Sequence, residues 1–488
     1  MKKLSDILYK VNIEKVIGNT EVIFQNVHFD SREVSLNDVF IAIDGSDMDG
    51  HQFIKSAVDQ GALAVICEKL PEIKVNGVNY IQVDNTRLAL AQIADNYHDQ
   101  PSRQLKLVGV TGTNGKTTVC TLLHQLFTNA GYKTGLISTV AVKIGNRDIA
   151  TQLTTPDSLT INGYLAQMVD EGISHVFMEV SSHGIDQGRT HGLDFDIAAF
   201  TNLSQDHLDY HGTFANYRDA KKKFFDQMPK RKIALTNIDD KNGEYMLQNC
   251  QAKKITYACQ RSADHRTRII ANTISGLVLE MEDNELHTQL IGKFNAYNLT
   301  LVKAIAVELG MERNKVIRLT SGLKPVAGRF QLHVSKDDHI TAIIDYAHTP
   351  DALKNVLQTI NSIRKADQEL ITLIGCGGNR DRTKRPKMAG IAVEHSDKVI
   401  FTSDNPRDED PQAILDEMMA QLSKEERNKT MAIVNRGEAI DEASEMVRQN
   451  GIILIAGKGH ENYQIIKGER MLFDDLEEVK EKLNKNNR

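Results

Sequence analysis

Apolar and polar positions along this chain fall into a strand-then-helix rhythm that starts, breaks and restarts. Within residues 1–100, short apolar runs at Val39 to Ile43 and Ala62 to Cys67 interleave with helix-period segments at Ile54 to Gln60 and Thr86 to Tyr97, which predicts a small α/β unit. The pattern breaks at Asp99-Gln100-Pro101-Ser102. A continuous apolar run, Leu105 to Val110, then leads through a glycine-rich turn into a helical pattern from Thr117 to Asn129. Further strands are predicted at Thr134 to Thr139, His175 to Val180, Ile197 to Asn202 and Lys232 to Asn237. Helical stretches separate them, and repeated βα alternation implies a mostly parallel sheet. Arg266 to Leu290 read as β-hairpins, followed by a helix at Asn298 to Leu309. From His339 the alternation restarts, with strands at Ala342 to Tyr346, Glu369 to Gly375, Lys398 to Thr402, Thr430 to Asn435 and Ile452 to Ala456, a pattern of doubly wound type. The expected architecture is therefore α/β in three units, 1–100, 101–333 and 334–488.

Composition narrows the function classes. The 488 residues carry 59 Lys plus Arg against 65 Asp plus Glu, a net charge of -6, which lacks the footprint of a general nucleic-acid binder. Any anion must be held by a local site. Five cysteines show neither CxxC pairing nor regular spacing, which argues against zinc ribbons and a disulfide framework and fits a reducing cytoplasm. The opening MKKLSDILYKVNIEKV is too polar for a signal peptide, and no run approaches about 20 apolar residues, so no stable membrane insertion is expected.

The sharpest local signal is Gly112-Thr113-Asn114-Gly115-Lys116-Thr117-Thr118. It lies between a predicted strand and a predicted helix, where glycines let backbone N–H groups approach phosphate oxygens and the helix start adds positive potential. Lys116 is placed to reach the β- and γ-phosphates of ATP, and Thr117 to ligate Mg²⁺. The usual loop has a first glycine where this chain has Val110, so the loop is a variant.

That shortened loop resembles the Mur ligase family, which includes the folylpolyglutamate synthetases and builds amide bonds through ATP-derived acyl phosphates. The resemblance runs through most of the chain: Asp30-Ser31-Arg32, Thr154-Thr155-Pro156, Glu179-Val180-Ser181-Ser182-His183, Asn202 to Asp209, Ala327-Gly328-Arg329-Phe330, Asp345 to Pro350, Gly377 to Asp381, Asp404-Asn405-Pro406-Arg407 and Gly457-Lys458-Gly459-His460-Glu461. It implies a UDP-sugar-binding unit (1–100), a central P-loop unit (101–333) and a Rossmann-like amino-acid-binding unit (334–488). It also implies a monomeric cytoplasmic ligase that adds meso-2,6-diaminopimelate to the D-Glu side-chain carboxylate of UDP-N-acetylmuramoyl-L-Ala-D-Glu. An L-lysine-adding form, a folylpolyglutamate-type ligase and a non-enzymatic nucleotide switch are the alternatives.

By the same resemblance Glu179 and His207, each following an apolar strand, ligate Mg²⁺. Lys221, in Tyr217-Arg218-Asp219-Ala220-Lys221, carries a CO₂-derived carbamate that holds a second metal; Lys222 and Lys223 read as a solvated helix face. An HxxxH zinc pair at His207 and His211 is disfavoured, since the glutamate of HExxH is missing. Asn295 and Asn298 match adenine-side residues, although Asn295 also suits a helix cap. Arg329 and Asp345 match inter-domain ATP contacts, and His348 either joins them or orients a helix start. Ser31 matches a UDP contact, while Thr154, Thr155, Ser181, Gln187 and Arg189 match contacts to the sugar-peptide; plain turns at Ser31-Arg32 and Thr154-Thr155-Pro156 are the competing readings. Arg380, Asp404, Asn405, Pro406, Arg407, Gly457 and Glu461 match the amino-acid site. There Arg407 suits the distal carboxylate of meso-diaminopimelate and Glu461 its ammonium. At Ser46-Asp47-Met48 the chain departs from the family, and no uracil contact is carried over.

Overall fold

The computed structural model describes residues 2–45, 48–151 and 153–485, so Ser46 and Asp47 of the departing loop lie outside the described residues. Three main sheets organise the chain, of five, eleven and six strands. In the first, Ile13–Ile17 pairs antiparallel with Asn79–Val83, and Ala64–Cys67, Val39–Ile41 and Val27–His28 continue it in parallel. Helix Thr86–Tyr97 covers one face with Leu90 and Ile93. The edge strand Ile13–Ile17 was not predicted, because its Glu14 and Lys15 interrupt the apolar pattern.

The eleven-stranded sheet has a parallel centre, in spatial order Thr134–Ile137, His175–Glu179, Lys106–Thr111, Ile197–Phe200, Ile233–Asn237 and Lys253–Ala258. Antiparallel strands extend it at one end, and at the other His265–Thr273 joins in parallel and is continued antiparallel by Gly276–Met281 and Asn284–Thr288, where hairpins were predicted. The middle strand Lys106–Thr111 is buried on both faces. Val108 and Val110 pack beneath helices Lys116–Asn129 and Lys293–Glu308, whereas Leu107 joins the opposite core under Ser158–Asp170 and Phe214–Asp226. Between them, a Cβ on Gly109 would lie 2.6 Å from the Phe224 ring. The missing side chain lets helix Phe214–Asp226, which carries Lys221, settle close against the strand that feeds the phosphate loop.

The third sheet runs Gln331–Val334, Thr341–Asp345, Ile452–Ala456, Leu370–Ile374, Lys398–Thr402 and Thr430–Ile433, all parallel except the first. Because Gln331–Val334 belongs to this sheet, a boundary at 333/334 divides a strand, and we place the start of the third unit before Gln331. No helix among the described residues is long and apolar enough to cross a membrane.

Candidate active site

Parallel sheets expose ligand sites at the carboxyl ends of their strands, and here two such ends meet. The phosphate loop follows Lys106–Thr111; Glu179 is the last residue of the adjoining strand and pairs with Val110 in register. Gly112 takes a φ of +148°, and a Cβ there would lie 1.9 Å from Thr201 Oγ1. Gly115 has a φ of +89° and sits against Asn298 Oδ1. Both glycines are therefore demanded by the backbone. Thr113 is pinned by Tyr217 and Ser204, Asn114 by Asn202, and Thr118 is buried in the first turn of the helix.

Two lysines converge on one carbonyl. Lys116 Nζ donates to Gly112 O (3.0 Å) and Thr113 O (2.8 Å), and Lys221 Nζ donates to the same Gly112 O (2.8 Å). Among the described residues neither has a carboxylate partner, and burial lowers both amine pKa values; for Lys221, which is 1% exposed, the proximity of Lys116 adds to the fall. Arg329 donates through Nη2 to Thr117 Oγ1 (3.1 Å), while among the described residues its buried Nε has no hydrogen-bond partner. The site is thus rich in under-used cationic donors, an arrangement that fits a polyphosphate.

Glu179 is fully buried. It accepts from Thr117 Oγ1 (3.0 Å), from Thr139 N–H (2.8 Å) and from Thr139 Oγ1 (3.2 Å). His207 begins a short helix with a φ of +52°, and burial pushes its imidazole pKa down to about 4 against the opposing charge of Asp206. Its ring packs edge-on to His183 at 4.8 Å, with His211 further along the same aromatic cluster. Among the described residues no three His, Cys, Asp or Glu side chains form a metal-binding group. A divalent cation here would rest on Thr117, Glu179 and His207 with oxygens from the nucleotide. A carbamate on Lys221 would supply the carboxylate the pocket lacks, and a neutral buried amine is the form that adds CO₂. The residues present fit both groups.

Asn295 is not a cap. The helix starts at Lys293 with Gly292 as its cap, five residues earlier than predicted, and Asn295 Nδ2 donates to Ile291 O (2.8 Å) while its Oδ1 accepts from Asn298 Nδ2 (2.9 Å). Both asparagines are buried, with Asn298 against the phosphate loop. Asp345, at the end of its strand, accepts from Phe330 N–H (2.7 Å) and Ala347 N–H (2.9 Å), and burial raises its pKa to about 6 against the pull of Arg329. His348 precedes the cap Thr349 and bonds Tyr346 O through Nδ1.

Beside Glu179 a polar rim gathers five predicted residues. Thr155 Oγ1 donates to Glu179 O and accepts from Ser181 N–H, Ser181 caps helix Ser182–Asp186, and Thr154 accepts from Thr139. Arg189 donates to Thr155 O (2.6 Å) and grips Gln187 Oε1 with Nε and Nη2. Ser31 stands apart, buried in the 3-10 turn Ser31–Glu33 of the first unit.

The third sheet contributes the cluster around Asp404-Asn405-Pro406-Arg407. Asn405 Nδ2 donates to Glu461 Oε2 (2.8 Å), its Oδ1 accepts from Ile465 N–H (2.9 Å), and a Cβ on Gly457 would come 2.8 Å from Asp404 Oδ2. Pro406 packs its carbonyl against Gly378. Arg407, with a φ of +52°, is held by Ile465 and Lys467 backbone groups and donates from Nη1 to Gly378 O (2.8 Å). Arg380 is exposed nearby. Sequence reasoning missed Lys458, fully buried within 3.4 Å of both Glu461 and Asn405, although it stands inside the quoted glycine-rich run. It also missed Thr139, whose only signal is its position after a strand. Lys222 corrects an expectation: it is 5% exposed and pairs with Asp226 (2.6 Å), while Lys223 remains exposed.

Comparison with known proteins follows the same three units. Sequence profiles match residues 24–98 (Mur ligase family, catalytic domain), 110–306 (Mur ligase middle domain) and 328–459 (Mur ligase, glutamate ligase domain). A curated protein of Bacteroides fragilis, UDP-N-acetylmuramoyl-L-alanyl-D-glutamate--2,6-diaminopimelate ligase, is 49% identical over 98% of this chain and 99% of its own length. A protein of the same name from Cytophaga hutchinsonii is 48% identical over 99% of each. A solved structure titled as that ligase superposes with a TM-score of 0.70 at 31% identity, covering 100% of this chain and 99% of its own. Relatives this similar from end to end, matched unit by unit over the same loops, place the chain in the Mur ligase family.

Proposed function

We propose that the chain is an ATP-dependent ligase that joins meso-2,6-diaminopimelate to the D-Glu side-chain carboxylate of UDP-N-acetylmuramoyl-L-Ala-D-Glu. The observation that carries this reading is the meeting of two strand-end sites. A cation-rich phosphate loop on the central sheet stands across the seam from an Asn405–Glu461–Arg407 cluster on the third.

Lys116, Arg329 and the N–H groups of Gly115 to Thr118 hold the polyphosphate, with Asn295, Asn298 and Asp345 supporting the nucleotide from the loop's far side. Thr117, Glu179 and His207 would hold one Mg²⁺ and a carbamate on Lys221 a second, which would supply neutralisation of the phosphoryl charge. Thr154, Thr155, Ser181, Gln187 and Arg189 orient the sugar-peptide so that its carboxylate faces the phosphate, and Ser31 serves the UDP end. The phosphorylated carboxylate is then attacked by the amine that the third unit presents, and phosphate leaves. Positioning and charge stabilisation do the work, and no covalent bond to the protein is needed.

Arg407 favours meso-diaminopimelate over L-lysine. Its Nη1 is committed to Gly378 O, and among the described residues the rest of the fork has no partner, which suits a second carboxylate. Glu461 is placed to take the distal ammonium, and the buried Lys458 braces it from 3.4 Å. The test is ADP release by the purified chain with the UDP-linked dipeptide and a panel of amines. Equal turnover with L-lysine would refute the specificity, and ADP release without any amine dependence would refute the ligase.

A further inference from the structure

One tie across the seam uses a residue with no role in the site so far. Asp351 is the second residue of helix Pro350–Ile363, whose start is fixed by the Thr349 cap and by Pro350 at the first position. Its Oδ2 accepts from Ser204 Oγ (2.6 Å) and Asn114 Nδ2 (3.3 Å), both in the central unit, and from Asn355 Nδ2 (3.2 Å) one turn along its own helix. The two cross-seam donors are themselves locked to the phosphate loop. Asn114 N–H donates to Asn202 Oδ1 (3.0 Å), and its carbonyl accepts from Thr201 Oγ1 (2.7 Å) and Asn202 Nδ2 (3.0 Å). Ser204 N–H donates to Thr113 Oγ1 (3.0 Å), which donates back to Ser204 O (3.1 Å).

An acidic residue in a helix's first turn has an ordinary role in stabilising the helix dipole. That role asks for no partner outside the helix, whereas here two of three donors come from another unit. Arg329 also crosses toward the loop, but it bonds the Thr117 hydroxyl, a group the cation would claim. Asp351 instead uses the Ser204 and Asn114 side chains, which leaves Lys116 and the N–H groups of Gly115 to Thr118 to the phosphates.

We propose that Asp351 is a positioning residue that latches the third unit onto the phosphate loop, so that the acyl phosphate is made and consumed with the seam closed. The proposal rests on the ligase reading above. With the latch intact, ATP and the substrate carboxylate give acyl phosphate and ADP, and the amine displaces phosphate to form the amide. With the latch lost, water attacks the acyl carbon instead and returns carboxylate and phosphate, so ATP is spent without amide.

The experiment measures ADP and amide in the same reactions of the full chain as wild type, Asp351→Ala, Asp351→Asn and Ser204→Ala. Small-angle scattering with the UDP-linked dipeptide and a β,γ-methylene ATP analogue follows closure in parallel. The wild type should release about one ADP per amide, and Asp351→Ala at least about two, with kcat down roughly tenfold and the KM for the UDP-linked dipeptide unmoved. Asp351→Asn keeps an oxygen to accept from Ser204 and should return the ratio toward one, with Ser204→Ala in between. A residue that only starts its helix would lower Tm in Asp351→Ala and leave the ratio alone. An unchanged ratio together with wild-type closure in Asp351→Ala overturns the latch. Should the wild type form no amide with any amine, the ligase reading fails, and the latch is then decided by scattering alone: ligand-driven compaction in Asp351→Ala equal to wild type overturns it.

Discussion

Three neighbouring lysines on one helix show how position, rather than residue type, assigns a role. Lys221, Lys222 and Lys223 follow one another, yet the first is buried against Gly112 O, the second is buried on Asp226 and the third pairs with Asp186 at the surface. On the proposed reading, Lys221→Ala removes the group that would carry the second metal-binding carboxylate, and we expect it to lower kcat at least about 10²-fold. Lys222→Ala should keep kcat and lose about 1 kcal/mol of stability through the stranded Asp226, read as a drop in Tm. Lys116→Ala should leave Tm near wild type and ligation below about 1%, since the amine bonds only loop carbonyls in the fold and its charge acts on phosphate. On the proposed reading, Arg407 would set specificity in the same residue-by-residue manner. With L-lysine bound its free fork would face an ammonium in place of a carboxylate, so a preference for meso-diaminopimelate of about 10²- to 10⁴-fold in kcat/KM is expected. Arg407→Ala should compress it to within about tenfold, and competition assays with both amines decide the matter.

At the scale of elements, the phosphate loop works because strand, loop and helix have been given no slack. Gly115 holds a φ of +89° with Asn298 Oδ1 placed 2.7 Å from where a Cβ would stand. Gly115→Ala is therefore strained in backbone and crowded in space. We expect it to weaken ATP-analogue binding by at least about tenfold in calorimetry while the UDP-linked dipeptide binds as before. This loop was legible in the sequence, since its glycines mark backbone needs that no packing can disguise. So were the interior strands, because a strand buried on both faces, such as Ile452–Ala456, is apolar without interruption. Two outlying segments were not: Ile13–Ile17 and the hairpin Tyr463–Ile466 with Glu469–Leu472 carry polar residues and look like loop. That hairpin matters to the site, as its Ile465 and Lys467 backbone groups hold Arg407. The start of helix Lys293–Glu308 was misplaced because Asn295 resembles a cap, while the observed cap is a glycine with no side-chain signal. Contacts between units, such as Asp351 with Ser204, depend on how whole sheets are set against each other and leave no local trace.

On the scale of the whole molecule, the seam between the first and central units buries a carboxylate that no hydrogen bond among the described residues satisfies. Asp95, on helix Thr86–Tyr97, is 0% exposed, and neither carboxylate oxygen has a hydrogen-bond partner among the described residues. Arg103 comes no nearer than 3.8 Å, and Asp194 of the central unit adds repulsion while Lys10 offsets it from a distance. Burial is the main cause that raises its pKa from 3.8 to about 6. The sign follows from proton counting. Between those two values the folded chain binds a proton that the unfolded chain does not, so stability falls as pH rises through the window. The penalty is absent below it and complete above it. Asp345 contributes a slope of the same sense, so the test is a difference between two proteins. Asp95→Asn should match wild type in Tm near pH 4 and exceed it increasingly up to about pH 6. From there to pH 8 it should hold a constant gain of about 1–3 kcal/mol, the scale set by a shift of this size. Thermal melts of both proteins from pH 4 to pH 8 measure this directly. A gain that is equal at every pH would mean that Asp95 is charged throughout or paired through water, and a loss at pH 7 would mean that the carboxylate holds the two units together.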